Sequence, residues 1–184
     1  MSERRQQLKT EHRLVLALTS TLLLASCGSG SSPSGGQPAL TTAQTSLVGN
    51  WQLNSSACNG SAINYIPAGG SIFFRFDGST LTQTKSVSAC TQATSMPYTM
   101  SGTNVIVANG ATLSTTCTPS SCTGSGLDSA SNCNSTGTTS QTATIATAVS
   151  GSTLSLTETD AQGASICNSF GPNGIPFSSS LTKQ

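Results

Sequence analysis

The sequence predicts an all-β domain, a small antiparallel up-and-down meander of about eight strands that curls into a disulfide-stapled barrel. Apolar residues recur at every second position, as in Ile72, Phe74 and Phe76, which is the period of a strand. Turn dipeptides such as Asp77-Gly78 and Asn109-Gly110 separate the runs and favour tight hairpins. With Cys27 set aside, the even number of six cysteines predicts disulfide bridges in an exported domain.

The strands follow in order from these runs and turns. Threonine is abundant in the runs, and its branched Cβ suits a pleated sheet. Leu81 and Val87 share a face of the third strand. Leu154 and Leu156 alternate with polar residues in the eighth. No window of ten or more residues has the pattern of an amphipathic helix, and residues 160–184 are expected to add a ninth strand or a cover. The eight predicted strands span 46–54, 71–77, 79–89, 95–101, 104–109, 111–117, 139–149 and 152–159.

The N-terminal segment, residues 1–26, resembles a bacterial lipoprotein signal peptide. Cations precede an apolar run at 14–24 that is too short to span a bilayer as a stable anchor. Leu24-Ala25-Ser26 then leads into Cys27, as in the lipobox, where the cysteine receives a diacylglyceryl group and becomes the first residue of the mature protein. Lipidation of Cys27 is therefore expected. An ordinary signal peptide and a short transmembrane anchor are the alternatives.

This resemblance divides the chain into three parts. Residues 1–26 are the signal peptide, residues 27–46 are the lipidated cysteine and a flexible Gly, Ser and Pro tether, and residues 47–184 are the barrel domain. The protein is expected in the bacterial cell envelope, anchored to the membrane through its lipid. Gly28 and Ser29 follow the cysteine without an Asp, which resembles an outer-membrane address in Gram-negative lipoproteins of the enteric type.

The mature chain is nearly uncharged. It has no basic patch, so nucleic acid is not expected as a partner. The only histidine, His12, lies in the signal peptide, which excludes Ser-His-Asp and Cys-His catalysis in the mature chain. Glu158 with Asp160 could form an acid–base pair, but solvated turn carboxylates are the preferred interpretation. We therefore expect no enzyme and no cofactor. The charged residues after Cys27 are Arg75, Lys85, Lys183, Asp77, Asp128, Glu158 and Asp160.

Six further cysteines are expected to form three structural disulfides. No Cys-x-x-Cys pair is present, which disfavours a metal site. In a meander of eight strands, strand parity places Cys58 and Cys90 at one end and the other four cysteines at the opposite end. Bridged Cα atoms lie within about 7 Å of each other, so Cys58–Cys90 is the favoured pair. The six are Cys58, Cys90, Cys117, Cys122, Cys133 and Cys167.

Gly49-Asn50-Trp51 opens the first predicted strand and precedes the meander. This arrangement resembles the lipocalin-like (calycin) bacterial lipoproteins. The resemblance implies that Trp51 lies at the closed end of an eight-stranded barrel and that residues 55–70 form a long loop at its open end. Lipocalins also pack a late arginine over this tryptophan, and here only Lys183 is available near the end of the chain.

Two functions follow from the resemblance and from the absence of catalytic groups. In the first, the barrel binds a small apolar ligand, although the candidate lining residues would equally well fill a solid core. In the second, the protein is an interaction or inhibitor module that contacts another protein through loops 118–138 and 55–70, since long loops are often functional. The candidate interior residues are Trp51, Phe74, Phe76, Tyr98 and Met100.

Overall fold

Antiparallel strands make up most of the computed structural model, which describes residues 39–120, 122, 133–171 and 174–184. The described residues form twelve strands and two helices. In chain order these elements are α1 (Thr42–Leu47), β1 (Gly49–Cys58), β2 (Ser61–Ile63), β3 (Gly70–Phe76), β4 (Thr80–Val87), β5 (Cys90–Pro97), β6 (Thr99–Ser101), β7 (Asn104–Val107), β8 (Thr112–Thr118), β9 (Ser135–Thr138), β10 (Ala143–Ser150), β11 (Thr153–Glu158), α2 (Ala161–Phe170) and β12 (Phe177–Lys183).

The strands belong to one curled antiparallel sheet. Its order is β6-β7-β10-β11-β12-β1-β3-β4-β5-β8-β9, and β2 pairs separately with β1. The predicted fold class, all-β and antiparallel with disulfides, is confirmed, but the predicted number of about eight strands is wrong. The ninth strand expected in residues 160–184 is present as β12, which pairs with both β1 and β11.

The extra strands arise because three long extended segments are each divided into two strands by a short break in their backbone pairing. Only Tyr98 separates β5 from β6. The break between β7 and β8 faces the break between β9 and β10. The pairing has the same register on both sides of these breaks, because Val107 pairs with Ala143 and Thr112 with Thr138. The Gly110 amide donates to the Thr139 carbonyl across this gap at 2.9 Å. β7 and β8 therefore run in one direction.

The predicted hairpin reversal at Asn109-Gly110 is consequently wrong, and so is the predicted Cys58–Cys90 bridge. Without that reversal, Cys117 near the end of β8 lies at the same end of the sheet as Cys58 at the end of β1. We call this end, where β12 also begins, the cysteine end. All three bridges form there. They are Cys58–Cys167, Cys90–Cys122 and Cys117–Cys133.

The opposite end, where β12 finishes at Lys183, is the tryptophan end. Trp51 is fully buried there, and its indole Nε1 donates to the Leu47 carbonyl at 2.8 Å. The Lys183 Nζ lies 5.3 Å from the centroid of the indole ring, within the range of a cation–π interaction. Gly49 has φ +139°, and a Cβ on it would lie 3.0 Å from the Lys183 Cε. The small residue therefore leaves room for the lysine stem.

Helix α1 lies in the last part of the predicted tether. Its N-terminus carries a capping box between Thr41 and Gln44, which satisfies backbone donors that the first helical turn would leave unpaired. The Gln44 side chain also donates to the Gly78 carbonyl at 3.1 Å, and Leu47 is buried in the core. The last described residues of the segment predicted as a tether therefore contact the sheet.

The core lies inside the curl of the sheet and follows the predicted alternation. On β3, Ile72 and Phe76 are buried, and Phe76 meets Tyr98 edge-on with ring centroids 5.7 Å apart. In β1 the register shifts between Leu53 and Ser55. This bulge changes which positions of β1 face inward, so that Ser56 as well as Leu53 is buried.

The N-terminal predictions lie outside the described residues. This applies to the signal peptide 1–26, to Cys27 and to most of the tether. Within the described part of the chain, neither helix is long and apolar enough to cross a membrane.

The contact between Lys183 and Trp51 gives a first prediction. Lys183→Met removes the cation and keeps most of the apolar stem, so we expect the free energy of unfolding to fall by about 0.5–1 kcal/mol. Trp51 is the only tryptophan, so its emission spectrum should shift as well. Lys85→Met is the matched control and should leave the emission unchanged. Identical spectra for the parent and Lys183→Met would contradict the contact.

Candidate functional site

A cavity of about 330 Å³ lies inside the curled sheet, under α2. Most of its wall is apolar and comes from inward-facing positions of several strands. Phe74 of β3, Met96 of β5 and Leu156 of β11 face it from different parts of the sheet. Ile166 of α2 closes it from above. The other large apolar lining residues are Tyr65, Leu81, Val107, Leu113, Ile145 and Phe177.

The polar part of the cavity wall marks its mouth. Thr138, Ser140 and Gln162 line the cavity and are also exposed to solvent. The Gln141 side-chain amide donates to the side-chain oxygen Oε1 of Gln162 at 3.2 Å and so links the β9–β10 connection to α2. The mouth therefore lies between the first turn of α2 and the β9–β10 connection, where the chain leaves the sheet between the two strands.

Glu158 is the one carboxylate among the described residues that line the cavity. It ends β11 and shares the inward face with Leu154 and Leu156. Its side chain is only 9% exposed, and no described residue donates a hydrogen bond to its carboxyl. Burial raises the pKa of Glu158 to about 7, with a smaller contribution from the nearby charge of Asp160.

Asp160 has a different role from Glu158. It caps the N-terminus of α2, with one carboxylate oxygen accepting from the Gln162 amide at 3.0 Å and from the Gly163 amide at 3.2 Å. The other oxygen accepts from the Thr144 amide of β10 at 2.6 Å. Asp160 thus fixes the start of α2 against the sheet, and its acceptor sites are directed at backbone donors.

The preferred interpretation of the carboxylates as turn residues is correct for Asp77. Its carboxylate accepts from the Ser79 and Thr80 amides in the β3–β4 turn. It is wrong for Glu158, which the alternation with Leu154 and Leu156 carries into the interior. That alternation is visible in the sequence and was the signal that could have identified it.

Helix α2 acts as the cover that the sequence predicts for residues 160–184. The Cys58–Cys167 bridge joins it to the end of β1. Gly163 lets the helix lie directly on the end of β11, because a Cβ at this position would be 2.6 Å from the Glu158 carbonyl oxygen. A larger residue would lift α2 away from the cavity.

A shallow groove of about 610 Å³ adjoins the cavity at the cysteine end. It is lined by Asn64 to Ala68, by Lys85 and by Phe170. Tyr65 contributes to both depressions, and its ring packs edge-on against Phe170 and Phe177 with centroids 5.9 and 5.3 Å apart. Lys85 therefore belongs to the groove, and no Lys or Arg lines the cavity in the described part of the chain.

The predicted interior residues separate into two groups. Phe74 lines the cavity, whereas Trp51, Phe76 and Tyr98 are buried in the core outside it. Met100 packs against that core. Burial also raises the pKa of Tyr98. Parity alone could not decide which inward side chains meet the cavity, because that depends on how far along the curled sheet each one lies.

The two predicted loops are shorter than expected in the structure. Within 55–70, the first four residues continue β1 and residues 61–63 form β2. Within 118–138, β9 occupies the last four residues, while residues 121 and 123–132 lie outside the described part. These differences leave the Tyr65 segment as the part of 55–70 that reaches the cavity.

Comparison with known proteins gave no match to any family model, curated protein or solved structure. In the described ranges, no group of three or more His, Cys, Asp or Glu residues is placed to hold a metal ion. The chemistry of the site is therefore that of an apolar cavity containing one buried carboxyl group.

The raised pKa of Glu158 predicts how stability depends on pH. The folded chain binds more protons than the unfolded chain between the ordinary value of 4.5 and about 7, so the free energy of unfolding falls as pH rises through this window. Glu158→Gln should remove that fall. The free energy of unfolding of the variant minus that of the parent should therefore increase by about 3 kcal/mol between about pH 4 and about pH 8.

Urea denaturation across this pH range measures the effect. Asp77→Asn makes the same change of charge at an exposed turn and is the control. A pH profile of Glu158→Gln that follows the parent would contradict a buried, titrating Glu158.

Proposed function

We propose that this chain is a lipid-anchored, exported β-barrel protein of the cell envelope that binds a small apolar ligand inside the barrel and catalyses no reaction. The observation that carries the proposal is the apolar cavity of about 330 Å³ under α2. Its size falls at the lower end of the range for small-molecule sites, about 300–1,000 Å³. A solid core, the alternative for these side chains, would leave no such space.

The proposed barrel consists of eight lengths of chain. β5 with β6, β7 with β8, and β9 with β10 each count as one length, since the register is kept across the last two breaks. β1, β3, β4, β11 and β12 supply the other five, and pairing runs from each length to the next around the ring. A small barrel of this kind has an interior just wide enough for side chains or for one small ligand.

The tryptophan end supports the resemblance to lipocalin-like lipoproteins. Lys183 lies over the indole of Trp51, where the resemblance expects a late arginine. Gly49 makes room for it. This geometry supports a closed end of the proposed barrel at Trp51 and an open end at the cysteine end.

Export and anchoring are supported by the chemistry of the cysteines. Three disulfides are typical of proteins that fold in an oxidising compartment. Cys27 follows a lipobox-like sequence and is the first of the seven cysteines of the chain. A diacylglyceryl cysteine supplies two chains, enough for stable attachment, and the proposed location is the outer membrane if the cell is Gram-negative.

The second candidate is an interaction or inhibitor module that uses the cysteine end, including loops 118–138 and 55–70. The observation in its favour is the groove beside Lys85, where Phe170 is 42% exposed. Loss of the cavity should leave such a surface intact, and this separates the two candidates.

Filling the cavity tests the first proposal. Ala143 lines the cavity, whereas Ala146 on the same strand is exposed. Ala143→Phe should weaken binding of the neutral fluorescent probe N-phenylnaphthylamine by about tenfold or more, and Ala146→Phe should not. The measurement is a fluorescence titration of the oxidised full chain carrying Cys27→Ser, with folding checked by circular dichroism. Ala143→Leu is the smaller alternative if the Phe variant does not fold. A parent chain that binds no probe, or equal binding by all variants, would favour the interaction module.

Replacing the proposed lipid acceptor tests the anchor. Cys27→Ser should release the chain from the membrane fraction of a bacterial host, because no thiol remains to accept the diacylglyceryl group. Ser29→Ala leaves the lipobox intact and should stay attached. Fractionation and the intact mass of each chain give the result. Membrane attachment that survives Cys27→Ser would exclude the lipid anchor.

A further inference from the structure

The buried carboxyl of Glu158 is the most unusual group of the cavity. It is nine-tenths buried, lines the cavity, and receives no hydrogen bond from the described residues. Burying an ionised carboxylate without a partner is costly. A bound molecule that brings its own positive donor would remove this cost.

The described groups around Glu158 do not include a positively charged hydrogen-bond donor. From β12 it is faced by Phe177 and Ser179, and from β10 by Ile145, which pairs with it directly. Gln162 and Ile166 face the cavity from α2. Asp160, next along the chain, is a second carboxylate whose oxygens already accept from backbone amides. Lys85, a cation of the cysteine end, lines the adjoining groove instead of the cavity.

We infer that the ligand of the cavity is an apolar amine, whose protonated nitrogen pairs with Glu158 while its hydrocarbon part lies against the apolar wall. The inference rests on the proposed function and names the ligand class for the same site. A fatty acid is disfavoured by the same arrangement, because its carboxylate would lie in a cavity whose described lining residues include one carboxylate and no cation.

The position of Glu158 suits a ligand with one polar end. Glu158 ends β11, close to the first turn of α2, and the exposed Gln162 marks the mouth there. Leu156 continues the same inward row away from the mouth, and Met96 and Val107 lie on the cavity wall. An amine entering by the mouth can thus keep its nitrogen at the carboxyl while its chain fills the apolar interior.

Amine binding should also depend on pH. The pair forms only when Glu158 is ionised, and burial sets the pKa of this group at about 7 in the free protein. Affinity for an alkylamine should therefore rise between about pH 5 and about pH 8, while the amine itself stays protonated. A carboxylic acid ligand should show the opposite trend.

Three probes of equal chain length test the inference, namely decylamine, decanol and decanoate. Calorimetry on the oxidised full chain carrying Cys27→Ser gives their affinities at about pH 8. We expect decylamine to bind about tenfold or more tightly than decanoate, and Glu158→Gln to remove most of that preference while decanol affinity is kept. Asp77→Asn, which removes a carboxylate at the turn between β3 and β4, should leave all three affinities unchanged.

The outcomes separate the two proposals. Equal binding of the three probes, tighter binding of decanoate, or an equal loss of all three in Glu158→Gln would overturn the amine preference and leave ligand binding standing. Failure of every probe, together with failure of N-phenylnaphthylamine, would overturn the proposed function itself.

Discussion

The pairing of β12 with both β1 and β11 is the interaction on which the rest of the structure depends. Through it the last strand of the chain joins the first strand to the β10–β11 hairpin. Without β12, both β1 and β11 would present an unpaired edge to solvent. Side chains of β12 also contribute to each part of the interior. Phe177 and Ser179 line the cavity, and Leu181 lies in the core. Lys183 lies over the indole of Trp51.

This strand is also one that sequence patterns describe poorly. Phe177 and Leu181 are its only large apolar residues, and three consecutive serines stand between them. Its buried Ser179 meets buried Ser56 of β1 with hydroxyl oxygens 3.1 Å apart. Such a hydroxyl pair satisfies itself inside the sheet but leaves no apolar signal in the sequence. Residues 160–184 could therefore be predicted only as a ninth strand or a cover.

The fold class and much of the interior could be predicted because alternation is a local property. Ile72, Phe74 and Phe76 show it plainly, and the structure places all three inside the curl. The disulfide pairing could not be predicted, because it depends on the direction of every preceding strand. A single Asn109-Gly110 dipeptide, read as a hairpin, reversed the expected direction of all later strands. Helix α2 was missed because a cap and a disulfide hold it in place and its amphipathic pattern is weak.

The candidate site shows the same division. Glu158 could have been placed inside by its parity with Leu154 and Leu156, but the burial that raises its pKa is a property of the packed molecule. Burying such a group costs stability when it is ionised. A domain with few charged residues retains this one on the wall of an apolar cavity.

The location of the three disulfides has a consequence for motion. Covalent links brace the sheet and α2 at the cysteine end, whereas the described residues of the tryptophan end are held by noncovalent contacts such as the hydrogen bond from Trp51 to Leu47. Local opening should therefore begin at the end farther from the cavity. Such opening need not disturb the cavity mouth, where the Gln141 side chain donates to the Gln162 side chain.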